Sequence, residues 1–351
     1  MTTVSLNQAA NLIASQPLNR YCLISAPGQG KSSIIKELAS RFPTHKPVYI
    51  DVPNLELGSL GMPVIDHETQ TTKNYPYDWT GFSRTNPRPL IIMLDEFSKG
   101  TNAVKNMLHT LLEAHNPRLM DLPLPEGSIV FLTGNYSSMG VGDTLKAHTN
   151  NRIIQLYVRP PTADEWIDWG SNNGVHPLVL AWVKEFQHCM ASFLDGGQDN
   201  NPYIYNPKNP NQTAFVSPRS LERASNTIKT RDGDDQALQA ALEGTLGTAA
   251  GVDMMSYISL QDKIPSFKEV IENPKTAPVP SISGAKFVFI YSAAQQADAD
   301  NLDSLLSYLT RYEVEYQMVF VITLARIKAK QKMVLENKKF AKLVHDYVDI
   351  L

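Results

Sequence analysis

The sequence predicts an α/β fold built on a parallel sheet, followed by a helical region, and three stretches carry that prediction. The first is the apolar run Asn19-Arg20-Tyr21-Cys22-Leu23-Ile24, then Ser25-Ala26-Pro27-Gly28-Gln29-Gly30-Lys31-Ser32-Ser33, then residues 33–42 with helical spacing. Strand, glycine-rich turn and helix in that order make a loop that can curl backbone N–H groups around an anion at a helix N-terminus. The second is Pro89-Leu90-Ile91-Ile92-Met93-Leu94-Asp95-Glu96-Phe97, a buried strand that ends on two carboxylates. Short continuous apolar runs of this kind are how strands covered on both faces read. The third is the change in pattern after Arg159-Pro160-Pro161, beyond which the apolar spacing is helical almost to the end. These breaks divide the chain into a nucleotide-binding α/β domain over residues 1–159 and a helical region over residues 160–351.

Each element has its own justification. Leu6, Ala9, Ala10, Leu12 and Ile13 share a helical face before the loop; that helix would either roof a ligand or serve packing only. Residues 46–52 read as a second strand. Residues 57–79 are unusual: an apolar, glycine-rich arm, a polar stretch from His67 to Lys73, then an aromatic arm ending at Trp79. This is the pattern of a β-hairpin with a polar tip, and it is either a functional excursion or a surface one. Residues 102–114 place Val104, Met107, Leu108, Leu111 and Leu112 on one helical face, and 117–125 form a loop carrying Arg118. Residues 128–135 and 153–158 are further strands, with a helix expected around Thr144 to His148 between them. In the second region helices are expected over 163–169, 177–193, from 218, 234–255 (interrupted by Gly244, Gly247 and Gly251), 284–296, 298–309, 314–329 and 337–348. Loops or connectors are expected over 195–214 and 265–283.

Composition narrows the functional classes. The chain has 351 residues, of which 42% are hydrophobic and 19% charged, an ordinary globular balance. A net charge of −3 argues against a nucleic-acid-coating role. The basic run of Arg326, Lys328, Lys330, Lys332, Lys338, Lys339 and Lys342 holds a single aromatic residue, Phe340, and reads as a solvated helix face. Two cysteines, Cys22 and Cys189, make no disulfide framework or zinc spacing, which fits a reducing cytoplasm. No run approaches the roughly 18 apolar residues of a membrane span.

The residues that carry chemistry sit at strand ends. Pro27, Gly28, Gln29, Gly30, Lys31, Ser32 and Ser33 form the phosphate-binding turn, with Lys31 reaching the β/γ-phosphates and the Ser32 hydroxyl available to Mg²⁺. The common pattern G-x-x-x-x-G-K-[ST] has glycine where this chain has Ser25, a departure that leaves the Gly30-Lys31-Ser32 half intact. Asp95 suits the Mg²⁺ shell, and Glu96 suits a base that orients and deprotonates an attacking water. Ser32 and Asp95 are thus the expected metal-site residues.

In order and spacing these motifs resemble the AAA+ ATPases, and more narrowly the MoxR-like branch. Ala26-Pro27-Gly28-Gln29-Gly30-Lys31-Ser32 is similar to that family's Walker A, Leu94-Asp95-Glu96-Phe97 to its Walker B, Thr133-Gly134-Asn135 to sensor 1, and Ser217-Pro218-Arg219 to sensor 2. Residues 57–79 fall where this branch carries a hairpin inserted in helix 2. The resemblance covers about residues 5–330. It implies a P-loop NTPase core of AAA+ type, then an all-α lid and a helical C-terminal part. It also implies ATP and Mg²⁺ as ligands and a ring, expected to be hexameric. By the same resemblance Asn135 would position the lytic water with Glu96, and Arg152 would act as an arginine finger on a neighbouring subunit, with Arg118 a second candidate. Arg219 would reach the γ-phosphate from the lid. The expected activity is ATP hydrolysis coupled to remodelling a protein client, with a partner carrying a von Willebrand factor A domain. An AAA+ motor on nucleic acid and a structural nucleotide-binding ring are the alternative readings.

Overall fold

The computed structural model describes residues 2–136, 145 and 147–348, and the chain divides into two compact units, Met1–Pro160 and Pro161–Leu351. The first unit is organised by five strands: β1 (Tyr21–Ser25), β2 (Lys46–Asp51), β5 (Leu90–Asp95), β8 (Ile129–Asn135) and β9 (Ile154–Tyr157). They form one sheet in the order β2-β5-β8-β1-β9, with every neighbouring pair parallel. Parallel strands need both faces covered, and the alternation of side chains shows how that is done. Tyr21, Leu23, Ile91, Met93, Ile129 and Phe131 point to one face and pack with α1 (Leu6–Ser15) and α2 (Ser33–Arg41). Cys22, Ile92, Leu94, Val130 and Leu132 point to the other face and pack with α3 (Asn102–His109) and the segments around it. The expected phosphate-loop α/β core is therefore present.

The excursion is a hairpin, β3 (Gly61–Asp66) against β4 (Thr71–Pro76), antiparallel with Gly61 opposite Pro76 and Asp66 opposite Thr71. Single 3₁₀ turns flank it (Val52–Asn54, Leu57–Ser59 and Asp78–Thr80), and no α-helix does. Pro53, Gly58, Pro76 and Gly81 punctuate the chain too closely for one. Gly61 is required where it stands, since a Cβ there would lie 2.1 Å from the Tyr75 carbonyl oxygen. The hairpin is pinned through Asn74, whose N–H donates to Asp121 Oδ2 (2.5 Å) and whose carbonyl accepts from the Asp121 N–H (3.2 Å). Asp121 sits in the turn between two short strands, β6 (Arg118–Leu119) and β7 (Leu122–Pro123), inside the stretch expected to be an irregular loop. Of the helix expected around Thr144 to His148, Thr144 and Lys146 lie outside the described residues; α4 spans Ala147–Asn150.

The second unit is helical. A first core joins α5 (Ala163–Asn172), α6 (Pro177–Glu185), α7 (Pro218–Lys229), α8 (Asp235–Leu246) and α9 (Thr248–Ile258). A second core joins α10 (Phe267–Glu272), α12 (Leu302–Leu309), α13 (Val314–Arg326), α14 (Gln331–Glu336) and α15 (Lys338–Val348). Between the two runs α11 (Ser283–Gln296), which gives Val288 and Tyr291 to the first core and Phe289, Ile290, Ala293 and Ala294 to the second. A helix apolar on all sides is a buried one. Three sequence expectations change here. The helix expected over 177–193 ends at Glu185, where Phe186 leaves helical geometry and 3₁₀ turns follow. The helix expected over 234–255 is two helices, because Gly247 adopts φ 90° and turns the chain. The connector expected over 265–283 contains α10, capped by the Ser266 hydroxyl on the Glu269 N–H (3.2 Å).

Candidate active site

The polar residues of the first unit gather at one edge of the sheet. Ser25 and Asn135 are register partners across β1 and β8, and parallel partners present their side chains on the same face. Counting by twos from the buried rows, Ser25, Asp95, Thr133 and Asn135 all continue the face that packs on α1 and α2. The sheet's apolar rows thus become polar together at their C-terminal ends, which is where an open α/β sheet binds ligands.

The loop that follows β1 brings Lys31 back over this edge. Gly28 (φ 77°) and Gly30 (φ 85°) make the reversal in left-handed backbone that a side chain would strain. A Cβ at Gly30 would in addition stand 3.3 Å from a Leu6 methyl. Lys31 is buried, and its ammonium donates to Ser25 Oγ (2.8 Å), Asn135 Oδ1 (3.0 Å) and the Ala26 carbonyl (3.3 Å). The Asn135 amide then donates to Glu96 Oε1 (3.0 Å), and Lys99 pairs with the other carboxylate oxygen of Glu96 (2.6 Å). Four side chains, Lys31, Asn135, Glu96 and Lys99, therefore form one continuous chain of hydrogen bonds.

Glu96 itself stands in left-handed backbone (φ 50°, ψ 41°) just after β5. Such a conformation in a non-glycine residue costs on the order of 1–3 kcal/mol and needs support from its surroundings. Thr133 supplies part of that support. Its hydroxyl accepts the Glu96 N–H (3.0 Å) and donates to Asp95 Oδ1, so one side chain fixes both acids. Tyr49, projecting from β2 on the same face, donates to the other Asp95 oxygen (2.6 Å). Tyr49, Lys99 and the role of Thr133 were missed by sequence reasoning, which read Thr133 only as part of a motif. The available signal was the alternation of β2, where Val48 and Ile50 are buried and Tyr49 is turned away from them.

The donor set suits a polyphosphate: a buried ammonium, a glycine turn and a helix N-terminus at the head of α2. Ser32 stands at the N-cap of α2 with no side-chain capping bond, so its hydroxyl is oriented by nothing in the cap itself. Ser32 and Asp95 could together hold a hard cation that arrives with the phosphates. Ser33, by contrast, turns its hydroxyl onto the Gly30 carbonyl (2.7 Å) and braces the loop. Pro27 and Gln29 complete the turn; Gln29 Oε1 is buried and lacks a hydrogen-bond partner. Burial pushes the Cys22 thiol up to about 12 despite nearby Lys31, so it is an inert part of β1.

Within the first unit, Arg152 and Arg118 lie outside this cluster. Arg152 is exposed just after α4, and its guanidinium donates to the His148 carbonyl (2.9 Å). It lies near His109, whose pKa is held below the usual histidine value by burial first, then by Arg152 and His148. Arg118 is exposed at the start of β6. Arg219 belongs to the second unit, exposed in the first turn of α7, which Ser217 caps through the Ser220 N–H (3.2 Å).

No family model matches this sequence, and no curated protein matches it. Solved structures are similar at a coarse level. A protein of Cytophaga hutchinsonii ATCC 33406, described as a candidate ATPase, is 14% identical with a TM-score of 0.35, covering 74% of each chain. A point mutant of Thermotoga maritima RuvB is 16% identical with a TM-score of 0.37, covering 87% of this chain and 85% of that one. Thermotoga maritima RuvB, described as a Holliday junction branch migration motor, is 16% identical with a TM-score of 0.34 over the same shares. At scores this low the likeness adds nothing to what the sheet and its strand ends already display. No helix among the described residues is long and apolar enough to cross a membrane.

Proposed function

We propose that this chain is a Mg²⁺-dependent ATPase of the AAA+ type, in the MoxR-like branch, working as a ring, expected to be hexameric, that couples hydrolysis to remodelling a protein client. The observation that supports it best is the chain from Lys31 through Asn135 to Glu96, which joins the phosphate-binding cation to the candidate base by two hydrogen bonds of 3.0 Å each. A chance glycine turn would not place a carboxamide between a loop lysine and a strand-end glutamate.

In this reading Lys31 and the backbone of the Gly28–Ser32 turn bind the phosphates. Ser32 and Asp95 hold the cation, which when bound neutralises charge on the phosphoryl oxygens. Tyr49 and Thr133 keep the Asp95 carboxylate fixed and aimed. Glu96 takes the proton of a water that Asn135 orients between them. Lys99 fixes the Glu96 carboxylate from its far side. Arg152 would serve a neighbouring subunit's site and Arg219 the γ-phosphate; arginines in such roles are worth about 10³–10⁵ in rate in other NTPases. A protein partner with a von Willebrand factor A domain belongs to the same proposal.

The direct test is ATP binding by calorimetry. Lys31→Ala removes the loop's ammonium from the polar edge of the sheet, and affinity should become undetectable while the fold persists by circular dichroism. Near wild-type affinity in that variant would end the phosphate-loop reading.

A further inference from the structure

Ser25 occupies the position where the common phosphate-loop pattern has glycine, and its side chain is not idle. It is fully buried at the end of β1. Its hydroxyl donates to the Ala26 carbonyl (2.9 Å) and accepts from Lys31 Nζ (2.8 Å). With the hydroxyl proton committed to Ala26, the lone pairs face the lysine. Three oxygens, those of Ser25, Asn135 and Ala26, lie around the Lys31 ammonium at 2.8, 3.0 and 3.3 Å. Of these the Ser25 bond is the shortest, and a phosphate that engages Lys31 competes with it. The Ala26 oxygen is backbone, and Asn135 is tied through its amide to Glu96. A glycine at position 25 would offer no side-chain oxygen at all.

We propose that Ser25 is a positioning residue that holds Lys31 in a resting arrangement in the empty loop, so that nucleotide binding requires the Ser25–Lys31 bond to be exchanged for one to phosphate. This rests on the ATPase reading above and adds a specificity consequence to it. Only a ligand with a β-phosphate reaches Lys31. The Ser25 hydroxyl therefore weakens binding of nucleoside di- and triphosphates and leaves a monophosphate untouched.

The experiment is calorimetric titration of the full chain with Mg-ADP and with AMP, which avoids turnover. Ser25→Ala should bind ADP about two- to tenfold more tightly, the net range of one ordinary hydrogen bond, with AMP affinity unchanged. Ser25→Gly should shift ADP in the same direction, which keeps the test alive if one variant folds poorly. Ser25→Ala should not restore ADP binding to a Lys31→Met variant, because its effect runs through the lysine. Unchanged or weaker ADP binding in both Ser25 variants overturns the proposal. So does an equal shift for ADP and AMP, since that reports loop shape and not the lysine. If wild type binds ADP through Lys31 but the Ser25 variants match it, the ATPase reading stands and this inference alone fails. If wild type binds neither nucleotide, both fail.

Discussion

The two units bury polar side chains in different ways. In the first, Ser5, Arg20, Thr80 and Ser128 serve caps, turns and strand ends singly, but Ser25, Lys31, Thr133 and Asn135 are buried within hydrogen-bond reach of one another or of the Asp95–Glu96 pair, at one edge of the sheet. In the second, buried polar groups are scattered and serve the helices one at a time. Ser217 and Ser220 cap α7, Ser192 caps a 3₁₀ turn, and Ser225 accepts the His176 N–H at the start of α6 (2.8 Å). Lys286, buried in α11, pairs with Glu313 (2.6 Å). Burying a polar group is costly unless it is satisfied. Dispersed satisfaction reads as architecture; convergence of several such groups on one point, with a strained backbone among them, reads as chemistry. The difference predicts that damage to the first unit's polar set strikes turnover, and damage to the second unit's strikes stability.

The largest effect expected from this contrast is at Glu96. Glu96→Gln keeps the size and the hydrogen bond from Asn135 but removes the base. Steady-state turnover should fall by about 10²–10⁴, while ATP still binds. Turnover within a few-fold of wild type would mean that the convergence around Glu96 is structural after all.

The second unit supplies the opposite case. His176 caps α6 through Nδ1, which accepts the Leu178 N–H (3.2 Å). Burial, followed by the nearby Arg231 and Lys229 charges, depresses its pKa from 6.5 to about 4. An unfolded chain takes up this proton near 6.5 and the folded one only near 4, so the unfolded state binds more protons in between. Stability should therefore be intact above pH 6.5 and decline as the pH falls through that window, by about 2 kcal/mol at most from this group, allowing for its partial exposure. Urea midpoints between pH 4 and 7 check it. His176→Asn, which can cap without titrating, should flatten that part of the slope; an identical slope in the variant assigns the acid sensitivity elsewhere.

Thr133 gives a smaller and sharper test, because it is buried yet touches no expected reacting atom. Thr133→Val keeps the shape and removes the hydroxyl, leaving Asp95 Oδ1 and the Glu96 N–H each short of a partner. One such loss is worth about 1–2 kcal/mol, so turnover should drop about tenfold through kcat, with KM nearly unchanged. A loss of thermal stability with kcat intact would class Thr133 with the serines of the second unit.

What the sequence made legible, and what it did not, follows the same division. The strands were readable because their apolar runs end abruptly in polar residues, and Lys31, Asp95, Glu96 and Asn135 stand at those ends. Tyr49 and Thr133 were not, because their roles come from register: each reaches an acid on a strand beside its own, about 40 residues away in sequence. Ser25 read as a lapse from a pattern, since a pattern cannot show that its hydroxyl meets Lys31. In the second unit the α8–α9 break was marked by Gly247, but two other glycines in the same stretch are accommodated inside helices, and composition does not distinguish them. The stop of α6 at Glu185 carries no glycine or proline and was invisible.

The hairpin tests whether the contrast between chemistry and architecture covers the whole first unit. Its apolar side chains do not enter a core: Met62 is 49% exposed and Ile65 is 64% exposed, while its tip from His67 to Gln70 is polar and exposed. Its fixed points lie at the base, through Asn74 and Asp121, Gly61 and Tyr75, and Trp79, which donates to the Ser59 carbonyl (3.1 Å). Nothing in that set joins the chain from Lys31 to Glu96. Replacing residues 68–73 with a short Gly-Ser turn removes the tip and leaves Asn74, Gly61 and Trp79 in place. Melting temperature and basal ATP hydrolysis should then change little, because neither a packed core nor the strand-end cluster is touched. Stimulation of hydrolysis by a protein partner should weaken, since exposed apolar arms beneath a polar tip suit an interface better than solvent. A folded variant that loses basal hydrolysis would place the hairpin in the reaction itself. One that keeps full stimulation would make it a surface excursion, and the contrast drawn between the units would then leave it without a role.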